Sequence, residues 1–200
     1  MLKRVAIRPL NSLREEHENE PCLQRRGFLK LAALTLGGLA VSPALARAAT
    51  TWERALQIYV PNTGETLRLV YWTPRQGYLH NSIQQLSWAL RDYRTDETKN
   101  LDPFLLDQLY ALQFMTENRQ PVHVICGYRS PSTNATLCRT SRGVARNSYH
   151  LQAKALDIRM PGRSLADVRR AAMSLQGGGV GYYPWANFIH IDTGPIRYWS

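Results

Sequence analysis

Two histidines and two aspartates stand in apolar surroundings near the C-terminal end of the chain. His150 and Asp157 lie in Ser148-Tyr149-His150-Leu151-Gln152-Ala153-Lys154-Ala155-Leu156-Asp157. His190 and Asp192 lie in Asn187-Phe188-Ile189-His190-Ile191-Asp192. Imidazoles and carboxylates in such a setting suit a borderline divalent metal. A catalytic zinc takes three protein ligands from His, Asp, Glu or Cys and keeps a fourth position for water. His150, Asp157 and His190 offer that set, for one Zn2+ per chain; solvated or hydrogen-bonded residues of their strands are the alternative reading.

The elements that must carry these residues can be read from alternation. Leu156, Ile158 and Met160 fall on one face of a strand and Asp157 on the other. Ile189 and Ile191 oppose His190 and Asp192 in the same way. Two such strands side by side give a sheet with one buried face and one working face. His150 enters from the turn just before the first strand.

Further upstream, Leu56–Val60 and Leu67–Trp72 flank Pro61-Asn62-Thr63-Gly64-Glu65 and predict a β-hairpin. Helical spacing of Ile83, Leu86, Leu90 and Tyr93 predicts a helix over about 81–93. Asp102 followed by Pro103 starts another, with Leu105, Leu106, Leu109, Leu112, Gln113 and Met115 as its inner stripe to about Glu117. Residues 121–126 predict a strand, 130–140 a loop and short helix, and 164–175 a helix capped by Ser164. His80 and His123 read as structural histidines. Strands and helices in this mixed order predict an α+β fold, a small and mainly antiparallel sheet packed against helices.

Ser148-x-His150-x4-Ala155-x-Asp157 closely resembles the Ser-x-His-x-x-Gly-x-Ala-x-Asp motif of the LAS metallopeptidases, the group of lysostaphin-type enzymes, D-alanyl-D-alanine peptidases and hedgehog-type domains. Gly127-Tyr128-Arg129-Ser130 resembles the Gly-Tyr-Arg-Ser turn of the same group. With Ser141–Ala145, Gly177–Pro184 and Phe188–Pro195, residues 54–199 resemble the YcbK-like (MepK) murein endopeptidases. The motif's usual Gly is replaced by Ala153 or Lys154.

The resemblance implies the LAS/hedgehog-type fold and a zinc peptidase. It would cut peptide crosslinks of peptidoglycan between two meso-diaminopimelate residues, with D-alanyl links as a second class. It also implies that Arg129 holds the substrate carboxylate or the developing oxyanion, and that Ser148 hydrogen-bonds the substrate. Tyr182 and Tyr183 are either a cleft wall or a hydrophobic anchor. Many D-alanyl-D-alanine peptidases of this fold carry an acid three positions before the last zinc histidine, and here that position is Asn187. Asp192 is then either the general base or the group that orients a ligand. Two other readings stay open: a D-amino-acid carboxypeptidase, and a zinc-containing peptidoglycan-binding module without activity.

The N-terminal part reads differently. Gln24-Arg25-Arg26-Gly27-Phe28-Leu29-Lys30 resembles the twin-arginine export motif. An apolar run, Leu31–Val41, follows, and then Ala44 and Ala46 at the positions a signal peptidase reads. The run is too short for a stable membrane span. Residues 1–46 are expected to be a cleaved leader and 47–200 a single peptidase domain, monomeric and located in the periplasm or envelope.

From Thr50 onward the chain has 17 Lys and Arg against 11 Asp and Glu, an excess of six positive charges. For an exported protein this points to an acidic envelope polymer such as peptidoglycan stem peptides, or to plain solubility charge, and not to nucleic acid. Export permits a disulfide between Cys126 and Cys138, and free thiols are the alternative.

Overall fold

The structure is a computed structural model and describes residues 52–141 and 143–200. The leader assigned to residues 1–46, with its twin arginines and cleavage site, lies outside the described residues. Among the described residues, no helix is long and apolar enough to cross a membrane.

The fold is α+β. The strands are β1 (Arg54–Val60), β2 (Glu65–Thr73), β3 (Gly77–Tyr78), β4 (Val122–Cys126), β5 (Ala155–Arg159), β6 (Gly179–Tyr183), β7 (Phe188–Asp192) and β8 (Arg197–Trp199). The helices are α1 (His80–Ala89), α2 (Pro103–Met115), α3 (Pro131–Thr140) and α4 (Leu165–Leu175). All the strands join one sheet in the order β3-β2-β1-β4-β5-β7-β6-β8. It is larger than the small sheet expected, because β3, β6 and β8 were not foreseen. Pairing is antiparallel except between β1 and β4 and between β6 and β8.

Local chemistry explains most of the boundaries. Asp102 caps α2, its side chain accepting from Phe104 N at 3.0 Å, with Pro103 in the first turn. Ser130 and Ser164 cap α3 and α4 in the same way, accepting from Thr133 N and Asp167 N. The first helix is shorter than its apolar spacing suggested: it stops at Ala89, and residues 90–96 turn back around Asp92. At the end of α2 the expected Met115 points outward, and Thr116 takes the buried position instead.

The core lies on one face of the sheet. Leu56, Ile58, Val122, Val124, Leu156, Ile158, Ile189 and Ile191 pack there with Leu105, Leu109 and Leu112 of α2 and Val168 and Ala172 of α4. Each fully buried aliphatic side chain contributes about 1.5–3 kcal/mol. That face is anchored well enough to fix the register of the other, because a slip of one residue would turn every core side chain out to water.

Candidate metal centre

The candidate residues sit in a row across the sheet, on the face opposite the core. Cys126 of β4 pairs with Asp157 of β5, and Asp157 with His190 of β7. His190 in turn pairs with Gly181 of β6, and Gly181 with Trp199 of β8. Register alone therefore makes Asp157 and His190 neighbours. Gly181 leaves room for the Trp199 indole, since a Cβ there would lie 2.6 Å from the ring. That indole packs beside the His190 ring, with centroids 5.3 Å apart.

His150 arrives from a 3₁₀ turn, Tyr149–Gln152. Ser148 caps the turn, its hydroxyl accepting from His150 N at 3.3 Å. The turn ends on Ala153 with φ +55°, left-handed backbone at the position where the resembling motif has Gly. Glycine tolerates that conformation freely, whereas alanine pays a steric cost of about 1–2 kcal/mol. Burial of the Ala153 methyl and the bond from Asp102 N to Ala153 O at 3.1 Å hold it there.

The ring nitrogens are fixed from outside. His150 Nδ1 lies 2.7 Å from Gly127 O, and its Nε2 faces Asp157 Oδ1 at 3.2 Å. His190 Nε2 lies 2.9 Å from Asp192 Oδ2, and its Nδ1 faces the same Asp157 Oδ1 at 2.9 Å. Each outer nitrogen faces an oxygen acceptor, and with the ring proton held there the inner nitrogen is free to ligate a metal. The two inner nitrogens converge on one carboxylate oxygen, and all three groups are buried. His and Asp donors fit zinc by type, with imidazole nitrogen and carboxylate oxygen both among its usual ligands.

Electrostatics couple these groups. Burial would raise the Asp157 carboxyl, but His150 and then His190 outweigh it and hold it well below the usual range. Burial would lower His150, but Cys126 and Asp157 outweigh it and raise it well above an ordinary histidine.

Asp192 is fully buried and surrounded by donors. Its Oδ1 accepts from Gly179 N at 3.0 Å, Gly194 N at 2.8 Å and Arg197 Nη1 at 3.0 Å. Its Oδ2 takes Arg197 Nη2 at 2.6 Å and His190. These bonds overcome its burial and depress its pKa. Arg129 donates to Asn134 Oδ1 at 3.2 Å and stands 4.0 Å from Asp157 Oδ2, while its buried Nε–H has no partner. Tyr183 lies on the row's face, where its hydroxyl accepts from Trp199 Nε1 at 2.8 Å. Tyr182 is not brought there: it packs against the core, with Arg169 over its ring. Asn187 occupies a left-handed turn before β7, which suits asparagine.

The sequence offered Cys126 only as a disulfide candidate or a free thiol. Both Cys126 and Cys138 are free. Among the described residues, one set of three metal-type donors has its atoms all within 4.8 Å of one another, and it is Cys126, His150 and Asp157. His190 reaches that set through Asp157. Strict alternation puts Cys126 on the core face with Val122 and Val124. A β-bulge between Val124 and Cys126 turns it to the other face, and a sequence pattern gives no sign of the bulge. Arg197 and Trp199 also escaped sequence reading, because three residues make too short a strand to show alternation.

The mixed sheet of this α+β fold brings His150, Asp157 and His190 around one point, each histidine held by an outer acceptor, a set of donors that could hold a metal ion. A sequence profile described as peptidoglycan L,D-endopeptidase MepK matches residues 48–199, and the chain belongs to that family. It is 44% identical to the peptidoglycan L,D-endopeptidase MepK of Escherichia coli K12 over 176 residues, 88% of this chain and 96% of the relative. The same identity and coverage hold for the protein of that name from Shigella flexneri. It is also 42% identical to the probable peptidoglycan L,D-endopeptidase MepK of Haemophilus influenzae over 178 residues, 88% and 95% of the two chains.

Proposed function

We propose that this protein is a zinc-dependent murein endopeptidase of the cell envelope that hydrolyses crosslinks between two meso-diaminopimelate residues. The observation that carries the proposal is Asp157 Oδ1, buried and met by two imidazole nitrogens, in a chain of this family. His150 Nε2, Asp157 and His190 Nδ1 would hold the ion. Zinc bound there supplies an activated water near neutral pH and polarises the scissile carbonyl.

The chain's own residues do the rest. Arg129 is always charged and its fork suits a carboxylate, so it binds the stem-peptide carboxylate beside the scissile bond. Ser148 keeps His150 in place through its cap, and its own O–H is available to the substrate. Tyr183 and Trp199 form the wall on the His190 side. Both oxygens of Asp192 are taken up by donors, which makes it the residue that fixes the tautomer of His190 and not a group that accepts a proton from water. Export by the twin-arginine route and a monomeric mature chain belong to the same reading.

The test combines two measurements on one preparation, metal content and digestion of defined muropeptide dimers. The expected result is about one zinc per chain with dimers split, both lost on chelation. Dimers left joined while one terminal D-amino acid is released would replace the endopeptidase by a carboxypeptidase. Zinc present, sacculi bound and nothing cut would leave a binding module, a reading that Asn187 favours because it puts no acid at the usual position.

A further inference from the structure

We infer that Cys126 gives its sulfur to the same ion, as a protein donor beside His150, Asp157 and His190, so that the centre rests closed and admits water only when the sulfur withdraws. The inference rests on the metal reading above and adds a ligand to it.

Three observations carry it. The first is proximity: Cys126, His150 and Asp157 each place a donor atom within 4.8 Å of the other two. The second is the bulge. Without it Cys126 would point into the core with Val122 and Val124, and Ile125 would stand opposite Asp157. With it, the sulfur joins the row at the position next to Asp157. Bulges beside active sites commonly re-aim one side chain in this way. The third is the placement of His150. Its side chain is 3% exposed, and its inner nitrogen is aimed into the site, 3.2 Å from Asp157 Oδ1.

The sulfur lies 3.5 Å from Arg129 Nη2 and 3.8 Å from Gly127 O, and it also pairs with the His150 side chain. The other free thiol behaves differently: Cys138 sits on α3 beside Val144 O and Asn134.

Chemistry makes the fourth donor consequential. Thiolate is a preferred zinc ligand, and a site closed by four protein donors is of the structural kind, whereas a catalytic site keeps one position open. Two anionic donors balance a divalent ion, and Arg129 stands where it can stabilise the sulfur when it leaves. The centre is then self-limiting, since substrate or water must displace Cys126 before Arg129 and the ion act together.

Cobalt(II) replaces zinc in such sites and reports on its ligands by absorption. The purified protein, Cys126→Ser, Cys126→Ala and Cys138→Ala are each titrated with cobalt. The expected result is a near-ultraviolet sulfur-to-cobalt band in the parent and in Cys138→Ala. The band is absent in both Cys126 variants, while their visible cobalt bands persist through His150, Asp157 and His190. Metal affinity should fall about tenfold or more in the Cys126 variants. Alkylation of Cys126 by iodoacetamide should be blocked by bound metal, with Cys138 as the internal control.

Identical spectra in the parent and Cys126→Ala, with cobalt bound to both, would overturn the inference and leave the three-ligand centre standing. Failure of every protein to bind cobalt would overturn the metal reading first, and the inference with it.

Discussion

Two aspartates in this molecule each gather side chains from several elements, and they do it with opposite chemistry. Asp107 on α2 is met by donors. Tyr71 OH lies 2.7 Å from its Oδ1, Tyr78 OH 2.6 Å from its Oδ2, and Arg54 Nη1 2.7 Å from its Oδ1. The cluster joins β1, β2, β3 and α2, and every proton in it has a destination. Burial and the carboxylate push the Tyr78 hydroxyl up to about 12, so it stays a donor at any physiological pH. Asp157 is met instead by the inner ring nitrogens of His150 and His190, with Cys126 beside them. The first cluster joins a carboxylate to groups that only donate to it, and it ties elements of the fold together. The second is made of groups that are all zinc ligands by type, which is why it is the proposed working site.

Substitution at each aspartate breaks the comparison most directly. Asp157→Ala should abolish muropeptide cleavage, a loss of about a thousandfold or more, and should remove bound zinc while leaving the circular dichroism unchanged. Full cleavage by this variant would sink the metal assignment. Asp107→Ala should do the reverse. It leaves two hydroxyls and a guanidinium without their acceptor and should cost about 3 kcal/mol in chemical denaturation, with zinc stoichiometry intact.

A smaller effect sharpens the contrast within the site. Asp192→Asn keeps the shape but weakens the grip on His190, and zinc affinity should fall about ten- to a hundredfold in a chelator competition. An unchanged affinity would mean that packing against Trp199 alone orients the ring.

The smallest effect concerns another carboxylate of the donor-surrounded kind. Asp92 is buried, and it accepts from Ser130 N at 2.9 Å and Arg94 N at 3.1 Å. Burial raises its pKa, but bonds from Thr133, Ser130 and Arg94 outweigh it and the net shift is downward. A carboxyl depressed in the folded state adds stability above its unfolded pKa of about 3.9, and loses it as pH falls through the folded value. Asp92→Asn should therefore cost about 1–2 kcal/mol at neutral pH, and the gap to the parent should close below about pH 4. A gap that held constant into acid would assign the cost to shape and not to charge.

Much of this arrangement was legible in the sequence. The alternation of Leu156/Ile158 and Ile189/Ile191 against Asp157 and His190 gave the right faces, and the expected caps Asp102 and Ser164 stand at the helix starts. What stayed hidden has a common cause. A bulge shifts parity without changing composition, so Cys126 looked like core. A three-residue strand has too little period to read, so Arg197 and its grip on Asp192 were invisible. Tyr182 and Tyr183 are adjacent, and adjacent residues on a strand face opposite ways, so only one of them could reach the row. Local pattern reports which face a residue takes only while the strand stays regular.

The row from Cys126 through Asp157 to His190 has one more consequence. Its donors stand on hydrogen-bonded neighbouring strands, whose separation of about 4.8 Å is set by the backbone. The pocket can neither swell nor contract much without tearing the ladder. Large oxygen-loving ions such as calcium need six to eight ligands at longer range and find too few here. In the proposed centre the sheet would act as a gauge for ionic size, selecting among cations before their chemistry is tried.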